Sequence, residues 1–138
     1  MNTLYETDFS AWAIDQADHL RRKEFNMLDF DHLVEEIETL GISDQRALKS
    51  HMANVLTHLL KKKYQPNKCT KSWIDSIDAA RDEVRFLLKK NPSFNRLLPE
   101  FLPLSYKTAR VKAFQETGLE TDTFPKECPW TIEEVLGE

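Results

Sequence analysis

Apolar side chains recur at every third or fourth position through almost the whole chain, and very few residues interrupt them. The 138 residues include only three glycines and six prolines, which suits a handful of long helices better than many short strands and turns. The first helix is expected from Asp8 to Arg22, with Phe9, Trp12, Ala13, Ala17 and Leu20 on one face. The second opens after Asp29, a good N-cap, and closes at Gly41, which suits a left-handed terminating position. Its stripe is Phe30, Leu33, Val34, Ile37 and Leu40. Ser43 then caps a third helix, so the second and third should form a tight hairpin.

The third helix is expected to reach Lys63 through Leu48, Met52, Val55, Leu56 and Leu59, where "YQPNKCT" breaks it. The fourth runs from Ser72 to Lys90, with Trp73, Ile74, Ile77, Val84 and Leu88 inward, and stops before Pro92. A fifth is interrupted: Pro99 can open it, Pro103 removes a backbone donor, and Gly118 ends it. The tail is a proline-rigid arm followed by a short helix. Thr131 and Glu134 have capping-box spacing, and Trp130 can staple to Val135. The expected fold is all-α: a single-domain antiparallel bundle of about five helices over residues 1–138, with residues 118–138 as a C-terminal arm packed on it.

Composition narrows the class. With 41% hydrophobic and 30% charged residues, the chain reads as globular, long enough to bury about two-thirds of its unfolded surface. No apolar run approaches the ~18 residues of a membrane span. The N-terminus "MNTLYETDFSAW" has neither the basic nor the apolar region of a leader. Cys69 and Cys128 lie far apart and outside any paired spacing, which makes cytoplasm with reduced thiols the default expectation and a bridge between them an open alternative. Charge is blocky: residues 1–60 carry −6, residues 61–115 carry +8 and residues 116–138 carry −6. Such blocks either satisfy one another within the fold or present faces to an oppositely charged partner.

Four residues sit awkwardly in a plain bundle. With Ile37 at the centre of its stripe, Glu36 and Glu38 fall about 100° to either side and Glu35 about 160° away, facing water. His58 lies on the apolar stripe of the third helix, as does His51, and Arg81 lies within that of the fourth. A buried arginine needs a carboxylate, so Glu36, Glu38, His58 and Arg81 form the candidate interior polar cluster. One reading is a structural network that sets helix register; the other is a metal or acid–base site. No Glu-x-x-His occurs, and His51 and His58 are about 10.5 Å apart along the axis, poorly placed to share an ion. Neither a metal nor a cofactor is therefore assigned. His19 and His32 read as surface residues near helix ends.

The most basic stretch is "KKKYQPNKCTK", with Lys61, Lys62, Lys63, Lys68 and Lys71 around Tyr64. It can be read as a phosphate-contacting patch or as lysines complementing a helix C-terminus. No nucleophile elbow and no glycine-rich phosphate loop is present.

Taken in order, "YETDFSAWAIDQADHLR", "LVEEIETLG", "LTHLLKKKYQP", "SWIDSIDAARDEV", "NPSFNRLLP", "ETGL" and "TFPKECPW" resemble the bacterial domain-of-unknown-function family 29 over nearly the whole chain. Trp12, Glu35, Glu36, Glu38, Gly41, His58, Gln65, Pro66, Trp73, Arg81, Pro125, Cys128, Pro129 and Trp130 stand at matching positions. Departures fall at Pro103 and at Lys62 and Lys63, where the family is often less basic. The resemblance implies a small all-helical protein and assigns no chemistry.

The missing catalytic spacings and the blocky charge point away from an enzyme and towards a module acting through protein–protein contacts, with a protein partner or a second copy of itself. A metal-dependent or acid–base enzyme using Glu36, Glu38, His58 and Arg81 is the alternative. Nucleic-acid contact through residues 61–71 is a further one, and no membrane partner is expected.

Overall fold

The computed structural model describes residues 4–138, and every regular element among them is helical. Residues 1–3, which the sequence reading places in the domain and in a leader-free N-terminus, lie outside the described residues. Four long helices carry the fold: α2 (Phe9–Arg21), α3 (Phe30–Tyr64), α4 (Lys71–Lys90) and α5 (Leu98–Thr117). The short α1 (Leu4–Thr7) precedes them and the short α6 (Ile132–Leu136) follows. By its contacts the chain divides into two compact units, one ending at Ser43 and the other spanning Asp44–Glu138.

The helix expected to end at Gly41 and the one expected to begin at Ser43 are a single element, α3. The tight hairpin between them does not form. Two properties of the sequence account for this. A glycine inside a helix costs about 1 kcal/mol relative to alanine but keeps its backbone hydrogen bonds. The apolar stripe also keeps its phase across the junction: with Ile37 at zero, Leu48 falls at about +20° and Val55 at about 0°. Independent helices have no reason to share a phase.

In the N-terminal unit, the Asp8 carboxylate accepts from the Ala11 amide at 3.0 Å and caps α2. Lys23, at φ 59°, turns the chain out of α2 in the left-handed conformation. A 3-10 turn, Phe25–Met27, leads into α3. Only Trp12 and Gln16 are buried among this unit's described residues.

The C-terminal unit holds the apolar core. Val55, Leu56 and Leu60 of α3 meet Ile77 and Ala80 of α4, Tyr106, Ala109 and Ala113 of α5, and Phe124 and Val135 of the arm. A second cluster joins Leu48 and Met52 to Val84, Leu87, Phe94, Leu98, Phe101 and Leu136. Asp44 ties the unit's start to the end of α4, accepting from Lys90 at 3.1 Å and from the Asn91 amide at 3.2 Å. α5 runs through Pro103 and ends at Gly118, whose φ of 76° supplies the left-handed cap.

Arginines seat the arm. Arg110 donates to the Thr121 carbonyl at 2.7 Å, and the Tyr106 hydroxyl donates to that of Pro125. The Thr131–Glu134 capping box is present at the start of α6. At its other end, carbonyls of the last turn are met by cations: Arg81 donates to Glu134 at 2.8 Å and to Val135 at 3.0 Å, and Arg85 donates to Leu136.

Candidate functional site

The sequence-predicted residues divide between the units. Glu36 and Glu38 belong to the N-terminal unit, His58 and Arg81 to the C-terminal one. Arg81 spends its donors on the backbone carbonyls of α6, which supply the electron density expected from a carboxylate. Glu36 accepts the Tyr5 hydroxyl, while Glu38 and Glu35 are exposed. His58 lines a hollow of about 270 Å³ with Asn54, Thr57, Lys112, Gln115 and Glu116. Its Nδ1 has no hydrogen-bond partner. Burial, seconded by the Lys61 charge, holds its pKa below the ordinary histidine range. No group of three or more His, Cys, Asp or Glu among the described residues could hold a metal ion.

A polar constellation absent from the sequence reading occupies the N-terminal unit. Asp29 Oδ2 accepts from the Trp12 indole N–H at 3.0 Å and lies 2.7 Å from His32 Nδ1, and the Gln16 side-chain oxygen accepts the Asp29 amide at 2.7 Å. His32 in turn stacks on the Tyr5 ring, 3.8 Å between centroids. The hydrogen bond from His32 holds the Asp29 carboxyl below its usual range and, reciprocally, raises the imidazole pKa against the opposing effect of burial. Glu36, as acceptor, pushes Tyr5 up to about 12, so its phenol remains a donor at neutral pH. His32, expected as a surface residue near a helix end, is part-exposed near the start of α3 and is also paired and stacked. The signal was its i, i+3 spacing from Asp29, which puts both side chains over one helical turn. With Nδ1 on Asp29 and one face on Tyr5, the ring fastens the start of α3 to the preceding elements.

The apolar stripe on the N-terminal part of α3 is left uncovered. Phe30, Val34, Ile37 and Leu40 form a continuous ridge in which Ile37 is 66% and Leu40 70% exposed. Gly41 lies on the same face, and a methyl group added there would meet nothing within 4 Å. Asp31 and Glu38, about 120° and 100° round the helix from Ile37, rim the ridge, and residues 30–43 contain no lysine or arginine. An apolar surface of this length on a unit with two buried residues is the most unusual feature of the molecule.

The lysines of the basic run differ in their surroundings. Lys61 is almost buried, its ammonium 4.6 Å above the Trp73 ring and 3.7 Å from Glu116. Lys63 lies 5.8 Å from each of the Tyr64 and Trp130 rings, and Lys62, Lys68 and Lys71 are exposed. A separate concentration of positive charge borders a groove of about 430 Å³ between α3 and α5, where Lys49, Lys107 and Lys112 stand around Ala53 and Leu104 and no carboxylate contributes. Both thiols are free; that of Cys128 donates to the Trp130 carbonyl, and burial raises its pKa.

No helix among the described residues is long and apolar enough to cross a membrane. Comparison with curated proteins and with solved structures returned no match. A family model covers residues 4–138, almost the entire chain, and by that match the protein belongs to the family described as domain of unknown function DUF29.

Proposed function

We propose that the protein is a non-catalytic interaction module that engages protein through the α3 ridge of its N-terminal unit. The observation that carries this reading is the exposure of Phe30, Val34, Ile37 and Leu40 in one unbroken stripe. At about 25 cal/mol per Å² of apolar surface removed from water, covering such a stripe is a substantial driving force for association. Gly41 adds to it. Its φ is not left-handed and no neighbour crowds it, so the chain alone gives no reason to accept a glycine's cost inside a helix. Close approach by another backbone would provide one.

A photo-crosslinking amino acid at position 37, with position 83 on α4 as an exposed control, tests this in the native host. Protein adducts at position 37 and none at 83 are expected. Equal or absent adducts at both positions would overturn the reading.

A further inference from the structure

We propose that the ridge is covered by a second copy of this chain, seating in the lysine-bordered groove between α3 and α5; this rests on the interaction reading above and specifies its partner.

Charge selects the pairing. Ridge against ridge is disfavoured, because Asp31 and Glu38 of two copies would be brought together with no lysine or arginine in residues 30–43 to compensate. The groove is the ridge's electrostatic opposite. Lys49, Lys107 and Lys112 border it, no carboxylate lines it, and Ala53 and Leu104 offer apolar surface. Lys107 is exposed, and Lys112 is held at the border by the Asn54 amide oxygen at 3.2 Å. The apolar surface continues along α5 at Leu104, Val111 and Phe114, which are 49%, 48% and 39% exposed and fall on one helical face. The two surfaces therefore match in chemistry: an apolar ridge with acidic flanks and an apolar groove with basic ones. Both are exposed in the single chain, so each is available to another molecule. Gly41, lacking a side chain on the ridge's outer face, lets the facing helix approach closely. Exchanged reciprocally, the contact closes a pair.

Sedimentation velocity of the full chain across a concentration series reads the proposal directly. The expected mass reaches at least twice the chain's 16.2 kDa, and dissociation increases with salt. Asp31→Lys with Glu38→Lys reverses the ridge, and Lys107→Glu with Lys112→Glu reverses the groove. Each doubly reversed chain should associate at least tenfold more weakly, and an equimolar mixture should recover affinity to within about threefold, because both contacts in the mixed pair are again complementary. Gly41→Leu, which adds bulk without charge, should weaken association while leaving circular dichroism helical. A chain that stays at 16.2 kDa at hundreds of micromolar, reversals without effect, or folded reversed chains that fail to recover on mixing would each overturn self-association. A monomeric chain that still gives heterologous adducts at position 37 would overturn only the identity of the partner, whereas absence of adducts removes the interaction reading itself.

Discussion

Trp12 and His32 share one oxygen of Asp29, the indole at 3.0 Å and the imidazole at 2.7 Å. A single carboxylate oxygen thus ties α2 to the first turn of α3, and the charge state of its partners governs how firmly. His32 binds a proton more tightly in the folded chain, so its contribution to stability is complete below the ordinary histidine value of about 6.5 and fades as pH rises through the raised folded value. Asp29 runs the other way. Its contribution is complete above the ordinary aspartate value near 4 and is lost as pH falls through the lowered folded one. Thermal unfolding followed by Trp12 emission in a chain with Trp73 and Trp130 replaced by phenylalanine should show greatest stability between these limits, and His32→Gln should flatten the alkaline limb. An unchanged alkaline limb in that variant would remove the pair from the account.

Gly41 and Gly137 should respond to alanine with opposite signs. At Gly41 the added methyl meets open space inside a helix, so Gly41→Ala is expected to stabilise the chain by about 0.5–1 kcal/mol. At Gly137, φ is 80° and the methyl would stand 3.0 Å from Arg81 Cδ and Nε and from Arg85 Nη2. Gly137→Ala is expected to destabilise by about 1–2 kcal/mol from the backbone conformation alone, with any displacement of the two arginines adding to it. Urea unfolding of both variants checks the pair.

Apolar residues of α3 divide sharply by position. Leu56 is completely buried, and Leu56→Ala should cost about 2–5 kcal/mol. Ile37 and Leu40, being mostly exposed, should tolerate serine within about 0.5 kcal/mol in dilute solution, where association does not contribute. A large loss on Ile37→Ser under those conditions would mean that the ridge is packed within the single chain.

Phe124 anchors the arm. It is buried between Tyr106 and Tyr64, whose ring meets it edge-on at 5.3 Å. Phe124→Ala should cost about 3–5 kcal/mol. Tyr106→Phe, which leaves the Pro125 carbonyl without its donor, should cost about 1 kcal/mol. Denaturant midpoints of the two variants give both numbers.

Much of this architecture is legible in the sequence. Helical periodicity, the capping box at Thr131 and the helix stop at Gly118 are local signals, and each is realised. Gly41 misled because a glycine that can end a helix is not obliged to do so; the shared phase of Ile37, Leu48 and Val55 was the better guide and needed comparison across the supposed break. The partners of Arg81 were not legible either. An arginine on an apolar face demands an acceptor, but backbone carbonyls leave no trace in composition, and α6 lies more than 50 residues further on. The cluster around Asp29 depends on Tyr5, Trp12 and Gln16 reaching α3 from other elements, which no single helical wheel displays.

The bond from Trp12 to Asp29 also gives the molecule a built-in optical gauge. Trp73 and Trp130 both belong to the C-terminal unit, so Trp12 is the sole indole of the N-terminal one. With Trp73 and Trp130 replaced by phenylalanine, the remaining emission would report solvent entry at the base of the ridge and the ionisation of a single carboxylate, so that binding, protonation and unfolding there can be followed in an unlabelled chain.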